Sequence, residues 1–214
     1  MTALDQLFVK VRAENRAALI AYIPAGFPSK AGCEKVIKTF IEAGVDAIEI
    51  GFPYSDPVMD GPTIQEAANT SLNAGTGAKE VFEALAHATA RGIPSVVMTY
   101  WNPVISYGVE KFAHDLAEAG GAGLITPDLI PDEAKEWLEA SDKYELDRVF
   151  LTAPTSTPER VKNACDLSRG FVYAVSTMGI TGTRESVDDL AKQVVESVRN
   201  ASATQNTAVG IGIS

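Results

Sequence analysis

Little in this 214-residue chain can bind a metal or form a cross-link. Cys33 and Cys165 are its two cysteines; they lie far apart, each in a segment of helical periodicity, so they make neither a disulfide framework nor a metal-ligand spacing. The expected compartment is the reducing cytosol. The two histidines, His87 and His114, sit in polar helical segments with no Cys or His at ligand spacing, and both are expected to face solvent. No metal site is predicted. Apolar runs are short, none approaching the ~20 residues that cross a bilayer. The N-terminal stretch MTALDQLFVKVRAENR alternates apolar and charged residues in helical fashion, which reads as a short helix and not as a signal peptide. Positive charge is also scarce: 18 Lys and Arg against 28 Asp and Glu give a formal net charge of −10. That balance argues against nucleic acid and anionic membranes as partners. A phosphorylated ligand would have to be held by local dipoles, such as glycine-rich N–H groups and helix N-termini.

No linker, low-complexity tract or charge run divides the chain, so one globular domain over residues 1–214 is expected. Strand-like apolar runs recur at Leu19–Ile23, Ala47–Gly51, Ser95–Tyr100, Gly123–Pro127, Arg148–Ala153, Phe171–Ser176 and Ala208–Ser214. They scarcely alternate, as parallel strands covered on both faces require. Helical segments fill most of the gaps, opened by prolines such as Pro131 and Pro158 and stopped by glycines such as Gly44 and Gly92. No strand carries a dinucleotide fingerprint, and polar residues follow several strands. The pattern therefore fits a (β/α)8 TIM barrel better than a doubly wound sheet. About seven of the eight strands are expected, leaving the barrel incomplete at its C-terminal end, with the eighth strand and terminal helices absent.

The stretch IEIGFPYSDPVMDGP, Ile48–Pro62, delivers two carboxylates, Glu49 and Asp60, to the C-terminal end of a buried strand. An ionised carboxylate in a strand core must be paired, protonated or working. Glu49 admits two readings, a buried salt bridge closing the barrel or an acid–base group with a raised pKa. Asp60, ahead of a glycine in a Pro-rich loop, is either a turn or helix cap, or the second acid of a site. Other strand ends supply Tyr22, Tyr100 with Asn102, Thr126 with Asp128, Thr152, and Tyr173. The tyrosines are equally suited to packing at the mouth or to bordering an aromatic ligand. The glycine-containing MGITGTR, Met178–Arg184, reads as a turn or as a lid offering N–H groups to an anion, and the glycines Gly210 and Gly212 read likewise.

Taken together these residues resemble the tryptophan synthase α-subunit family. The resemblance rests on IEIGFPYSDPVMDG at Ile48–Gly61 and on PAGFPS at Pro24–Ser29, YWNP at Tyr100–Pro103 and TPDLIPDEA at Thr126–Ala134. It continues through LTAPTSTPERV at Leu151–Val161, YAVSTMGITGTR at Tyr173–Arg184 and VGIGIS at the end, and so covers nearly the whole chain. It implies a lyase that cleaves indole-3-glycerol phosphate to indole and glyceraldehyde 3-phosphate by a retro-aldol step in tryptophan biosynthesis. On this resemblance Glu49 handles proton transfers near C3 and the side-chain hydroxyl, and Asp60 engages the indole N–H. Tyr22, Tyr100 and Tyr173 border the indole, while Thr181, Gly182 and Gly212 close the lid and hold the phosphate. Tyr22 stands where many members have phenylalanine, so it brings a hydroxyl that needs a partner. No cofactor is implied for this chain; pyridoxal phosphate is expected only in a β-subunit partner, in an α2β2 complex. The catalytic face, with Pro53, Asp56, Pro57 and a loop over Asn102–Tyr107, is the expected docking surface. Two other readings stay open. One is a neighbouring phosphate-binding barrel, although no lysine lies in the seven strand runs; the other is a non-catalytic activator, which has no need for the acid pair.

Overall fold

The computed structural model describes residues 1–175 and 184–210, the side chains of 184–188 excepted. From the N-terminus the elements are α1 Ala3–Ala13, β1 Ile20–Pro24, α2 Lys30–Glu42, β2 Ala47–Gly51, α3 Pro62–Asn73, α4 Ala78–Thr89 and β3 Ser95–Met98. They continue as α5 Trp101–Tyr107, α6 Val109–Glu118, β4 Gly123–Ile125, a 3-10 turn Pro131–Glu133, α7 Lys135–Lys143, β5 Asp147–Val149 and β6 Leu151–Thr152. Then follow α8 Pro158–Leu167, β7 Val172–Ala174, α9 Arg184–Ala201 and β8 Thr207–Val209.

Every strand pair is parallel, and neighbours in the sheet are neighbours in sequence: β1-β2-β3-β4-β5, then β6-β7-β8. A doubly wound sheet reverses its strand order part-way, and this one does not. The run expected as one strand, Arg148–Ala153, is divided at Phe150. Its first half pairs with β4 and its second with β7, and the Tyr173 N–H donates to the Phe150 carbonyl at 3.0 Å. The division therefore falls within one length of chain. The strand expected at Ala208–Ser214 is seen as β8, and residues 211–214 lie outside the described part.

Alternate strand residues serve two cores. Ile48 and Ile50 of β2, Val97 of β3 and Leu124 of β4 pack outward against Ile37 of α2, Leu85 of α4, Phe112 and Leu116 of α6 and Trp137 of α7. Ile20, Ala47, Val96, Met98, Ile125 and Val149 face inward. The inner layer meets α1, whose Leu4, Leu7, Phe8 and Val11 recur at helical spacing and are buried against Ala47, Val96, Ile125, Val149 and Phe171. Thr2 and Asp5 form a capping box that starts this helix, a feature worth about 1 kcal/mol. Each fully buried Leu or Phe adds roughly 1.5–3 kcal/mol of transfer free energy. A second tie fixes β1 to β2. Asp46 accepts from Nη1 and Nη2 of Arg16 at 2.7 Å each and from the Leu19 N–H at 2.8 Å, aligning the first strand as it leaves the helix.

Two local expectations change. The rim segment Asn102–Tyr107 is helix, not loop, because the Asp128 carboxylate accepts the Trp101 N–H at 2.8 Å at the start of α5. His87 is half-buried on α4 with its Nε2 closed off from solvent, whereas His114 is exposed as expected.

Candidate active site

The inner face of β2 reads Ala47, Glu49, Gly51, and only the first is an ordinary core residue. Glu49 lies beside Tyr22 of β1 in register, so both side chains project from the same face of adjacent parallel strands. Its carboxyl is 5% exposed and, among the described residues, accepts no hydrogen bond and joins no ion pair. The barrel-closing salt bridge is therefore not formed by these residues. Burial, and secondarily the charge of Asp60, pushes the Glu49 carboxyl up to about 8, so it carries its proton at neutral pH.

Asp60 enters from the loop after β2. The Tyr100 hydroxyl, at the end of β3, accepts the Met59 N–H at 3.0 Å and donates to Asp60 Oδ1 at 3.2 Å, pinning the loop to the strand end. Asp60 is not the helix cap. Gly61 occupies the N-cap of α3 with Pro62 behind it, and only the Asp60 backbone carbonyl serves the helix, accepting Gln65 Nε2 at 2.8 Å. Burial raises the Asp60 pKa, and the Tyr100 hydroxyl acts against that rise. Burial also pushes the Tyr100 phenol up to about 12, and it raises the Tyr22 and Tyr173 phenols still further above their ordinary value. All three remain neutral hydrogen-bonding groups.

Tyr22 and Tyr173 are seated by the same device. Each is paired in register with a residue of the next strand, Glu49 or Ala208, and each ring leans two residues further toward the C-terminal end, over a glycine. A Cβ on Gly51 would stand 2.2 Å from the Tyr22 hydroxyl, and one on Gly210 would stand 2.6 Å from that of Tyr173. Any side chain at either position would expel the tyrosine. Gly210 therefore gives clearance to an aromatic ring, a use that reading it as a turn or anion-binding glycine did not anticipate.

The structure thus brings Glu49, Asp60, Tyr22, Tyr100 and Tyr173 together: Asp60, Glu49, Tyr100 and Tyr173 all act on the Tyr22 phenol. Thr181, Gly182, Gly212 and the lid segment lie outside the described residues, apart from the backbone of Arg184. Thr126 and Thr152 are buried with hydroxyls that find no partner among the described residues, and Asp128 serves α5. Sequence reasoning overlooked Tyr54, whose ring stands 5.3 Å from that of Tyr100 and whose hydroxyl accepts Asn102 Nδ2 at 3.1 Å. The clue was available in YWNP, where Tyr100 and Asn102 both follow β3. It also passed over Asp147, a wholly buried carboxylate whose two oxygens lack hydrogen-bond partners among the described residues. Among those residues no cluster of His, Cys, Asp and Glu could hold a metal ion, and no helix is long and apolar enough to cross a membrane.

Comparison with known proteins decides the family. A family profile described as "Tryptophan synthase alpha chain" matches residues 8–214. The chain belongs to the tryptophan synthase alpha chain family. It is 52% identical over 210 residues to the tryptophan synthase alpha chain of Mycobacterium marinum, covering 98% of this chain and 77% of that one. It is 51% identical to that of Thermobifida fusca, covering 100% of this chain and 80% of that one. A solved structure of Mycobacterium tuberculosis tryptophan synthase superposes with a TM-score of 0.93 at 50% identity, over 99% of this chain and 81% of that one. A tryptophan synthase complex from Pyrococcus furiosus matches with a TM-score of 0.82 at 32% identity, over 92% and 78%. The fold is accordingly the TIM barrel of tryptophan synthase alpha. The activity is the alpha reaction of L-tryptophan biosynthesis, the lyase cleavage of indole-3-glycerol phosphate to indole and glyceraldehyde 3-phosphate.

Proposed function

We propose that Glu49 and Asp60 carry the proton transfers of this retro-aldol cleavage. The observation behind the assignment is a buried Glu49 that has no hydrogen bond or ion pair among the described residues, its pKa pushed up to about 8 by burial and by a second acid, Asp60. Glu49 gives its proton to C3 of the indole. The bond from C3 to the glycerol carbon then breaks as the hydroxyl on that carbon loses its proton and becomes the aldehyde, and that proton restores Glu49. One proton enters and one leaves, so no co-reactant is consumed. Asp60 accepts the indole N–H and stabilises the positive charge that C3 protonation creates on the ring. Tyr22, Tyr100 and Tyr173 border the indole, and Thr181, Gly182 and Gly212 hold the phosphate and close over it.

In this reading the chain works as a single barrel domain in the cytoplasm and needs no cofactor, since two carboxylates suffice for the proton transfers. Its partner is the tryptophan synthase β subunit in an α2β2 complex, where pyridoxal phosphate is bound and indole is consumed. Neither nucleic acid nor membrane is a partner of a chain with this acidic balance. The test is Glu49→Gln, which keeps the shape and deletes the proton. Indole release should fall roughly 100- to 10,000-fold while ligand binding persists; turnover near that of the parent overturns the assignment.

A further inference from the structure

The hydroxyl of Tyr22 is a polar group of the site that the proposed chemistry does not use. Its ring lies over Gly51, so the hydroxyl reaches the end of β2, where the loop to Asp60 departs. Among the described residues this hydroxyl makes no hydrogen bond, whereas that of Tyr100 is used twice, accepting from Met59 and donating to Asp60 Oδ1. The other Asp60 oxygen, Oδ2, has no partner among those residues. Glu49 projects beside Tyr22 in register from β2, and Asp60 from the loop, Tyr100 from the end of β3 and Tyr173 from β7 also act on its phenol. Asp60 exerts the largest charge effect on the phenol, ahead of Glu49. The phenol stays neutral at any working pH, so it cannot serve as a base, but it can donate.

We propose that Tyr22 is a positioning residue for the acid pair: in the liganded site its hydroxyl donates a hydrogen bond to the free oxygen of Asp60, holding that carboxylate ionised beside protonated Glu49. This rests on the roles given to Glu49 and Asp60 above. It gives the hydroxyl its partner and separates the two acids chemically. Two adjacent carboxyls each raise the other's pKa, and a donor reserved for one of them decides which ionises first. It also explains the bare Gly51, since a methyl group there would push the hydroxyl out of the gap.

The experiment is the pH dependence of kcat/KM for indole-3-glycerol phosphate cleavage in the enzyme with Tyr22→Phe, which keeps the ring and its packing. Loss of a donor to a carboxylate raises its pKa, so the acid limb should move upward by about half to one unit. The deficit should approach ten-fold on the acid side and shrink above neutrality. Replacing Tyr22 by 3-fluorotyrosine, a stronger donor, should move the same limb downward. An acid limb that stays in place in Tyr22→Phe overturns the proposal, even if the rate drops uniformly, because uniform loss reports packing alone. Glu49→Gln and Asp60→Asn, run in parallel, separate the two levels. If they retain activity, the roles beneath the proposal fail; if they lose it while Tyr22→Phe keeps the parent's profile, only the role of Tyr22 does.

Discussion

Two buried carboxylates lie on one rung of the sheet and meet different fates. Glu49 is in register with Val96, Val96 with Gly123, and Gly123 with Asp147. Because barrel strands are tilted, a rung that starts near the mouth descends as it crosses the sheet. It ends at Asp147, which lines one cavity with Thr2 and Asp5 at the start of α1. Both groups lose their hydration, and among the described residues neither has an ionic partner within salt-bridge distance. Yet burial carries Glu49 up to about 8 and Asp147 only to about 6. Their neighbours account for the gap. The charge of Asp60 adds to the rise at Glu49 and that of Asp5 to the rise at Asp147, but at Asp147 the guanidinium groups of Arg169 and Arg148 work against it. Access differs as well, since both oxygens of Asp147 are sealed from solvent. Burial is the largest influence on both acids and each has a second acid near it; the guanidinium groups near Asp147 are what set the base apart from the mouth.

The sharpest break in this comparison is functional. Glu49→Gln should lose roughly 100- to 10,000-fold in turnover, while Asp147→Asn should stay within about twofold of the parent in an indole-release assay. Asp60→Asn should fall on the Glu49 side of the divide, with about a 100-fold loss or more in the same assay and little change in melting temperature. Gly51→Ala tests the seating of Tyr22. The clash at 2.2 Å should cost about 1–3 kcal/mol in denaturant unfolding and lower activity together with stability.

The smallest effect concerns pH. A carboxyl with a raised folded pKa contributes stability that is complete below its unfolded pKa and lost as the pH climbs through the folded one. For Glu49 that window runs from 4.5 to about 8, and for Asp147 from 3.8 to about 6. Asp147→Asn should therefore match the parent near the bottom of its window and exceed it at neutral pH by about 1–3 kcal/mol. Glu49→Gln should gain its full advantage only above pH 8. Urea unfolding of the three proteins across this range checks both windows. A single shared window would show that the two acids are not distinct.

Much of the fold could be read from the chain because the repeat is periodic. Unalternating apolar runs marked the parallel strands, and Pro and Gly marked the helix ends. What escaped depends on contacts distant in sequence. The division at Phe150 comes from one segment serving two neighbours in turn. Asp147 was missed because the strand was expected to open one residue later, at Arg148, leaving the acid in a turn. Glu49 stood out because carboxylates are rare in strand cores; that it joins no salt bridge among the described residues, and that Gly61 and not Asp60 caps α3, only coordinates supply. The clearance roles of Gly51 and Gly210 were not legible, since they require knowing which ring leans over which strand.

The apolar face of α1 has a consequence for traffic. Leu4, Leu7, Phe8 and Val11 are packed into the inner layer against Phe171, so among the described residues α1 fills the base with side chains. On the function proposed above, indole, small and uncharged, is expected to leave through the mouth, on the side of Glu49 and Asp60. A vessel with one neck can be stoppered by whatever sits on that neck, so the retention of a leaky intermediate is decided at the rim, and the first helix contributes to it from the far end of the barrel.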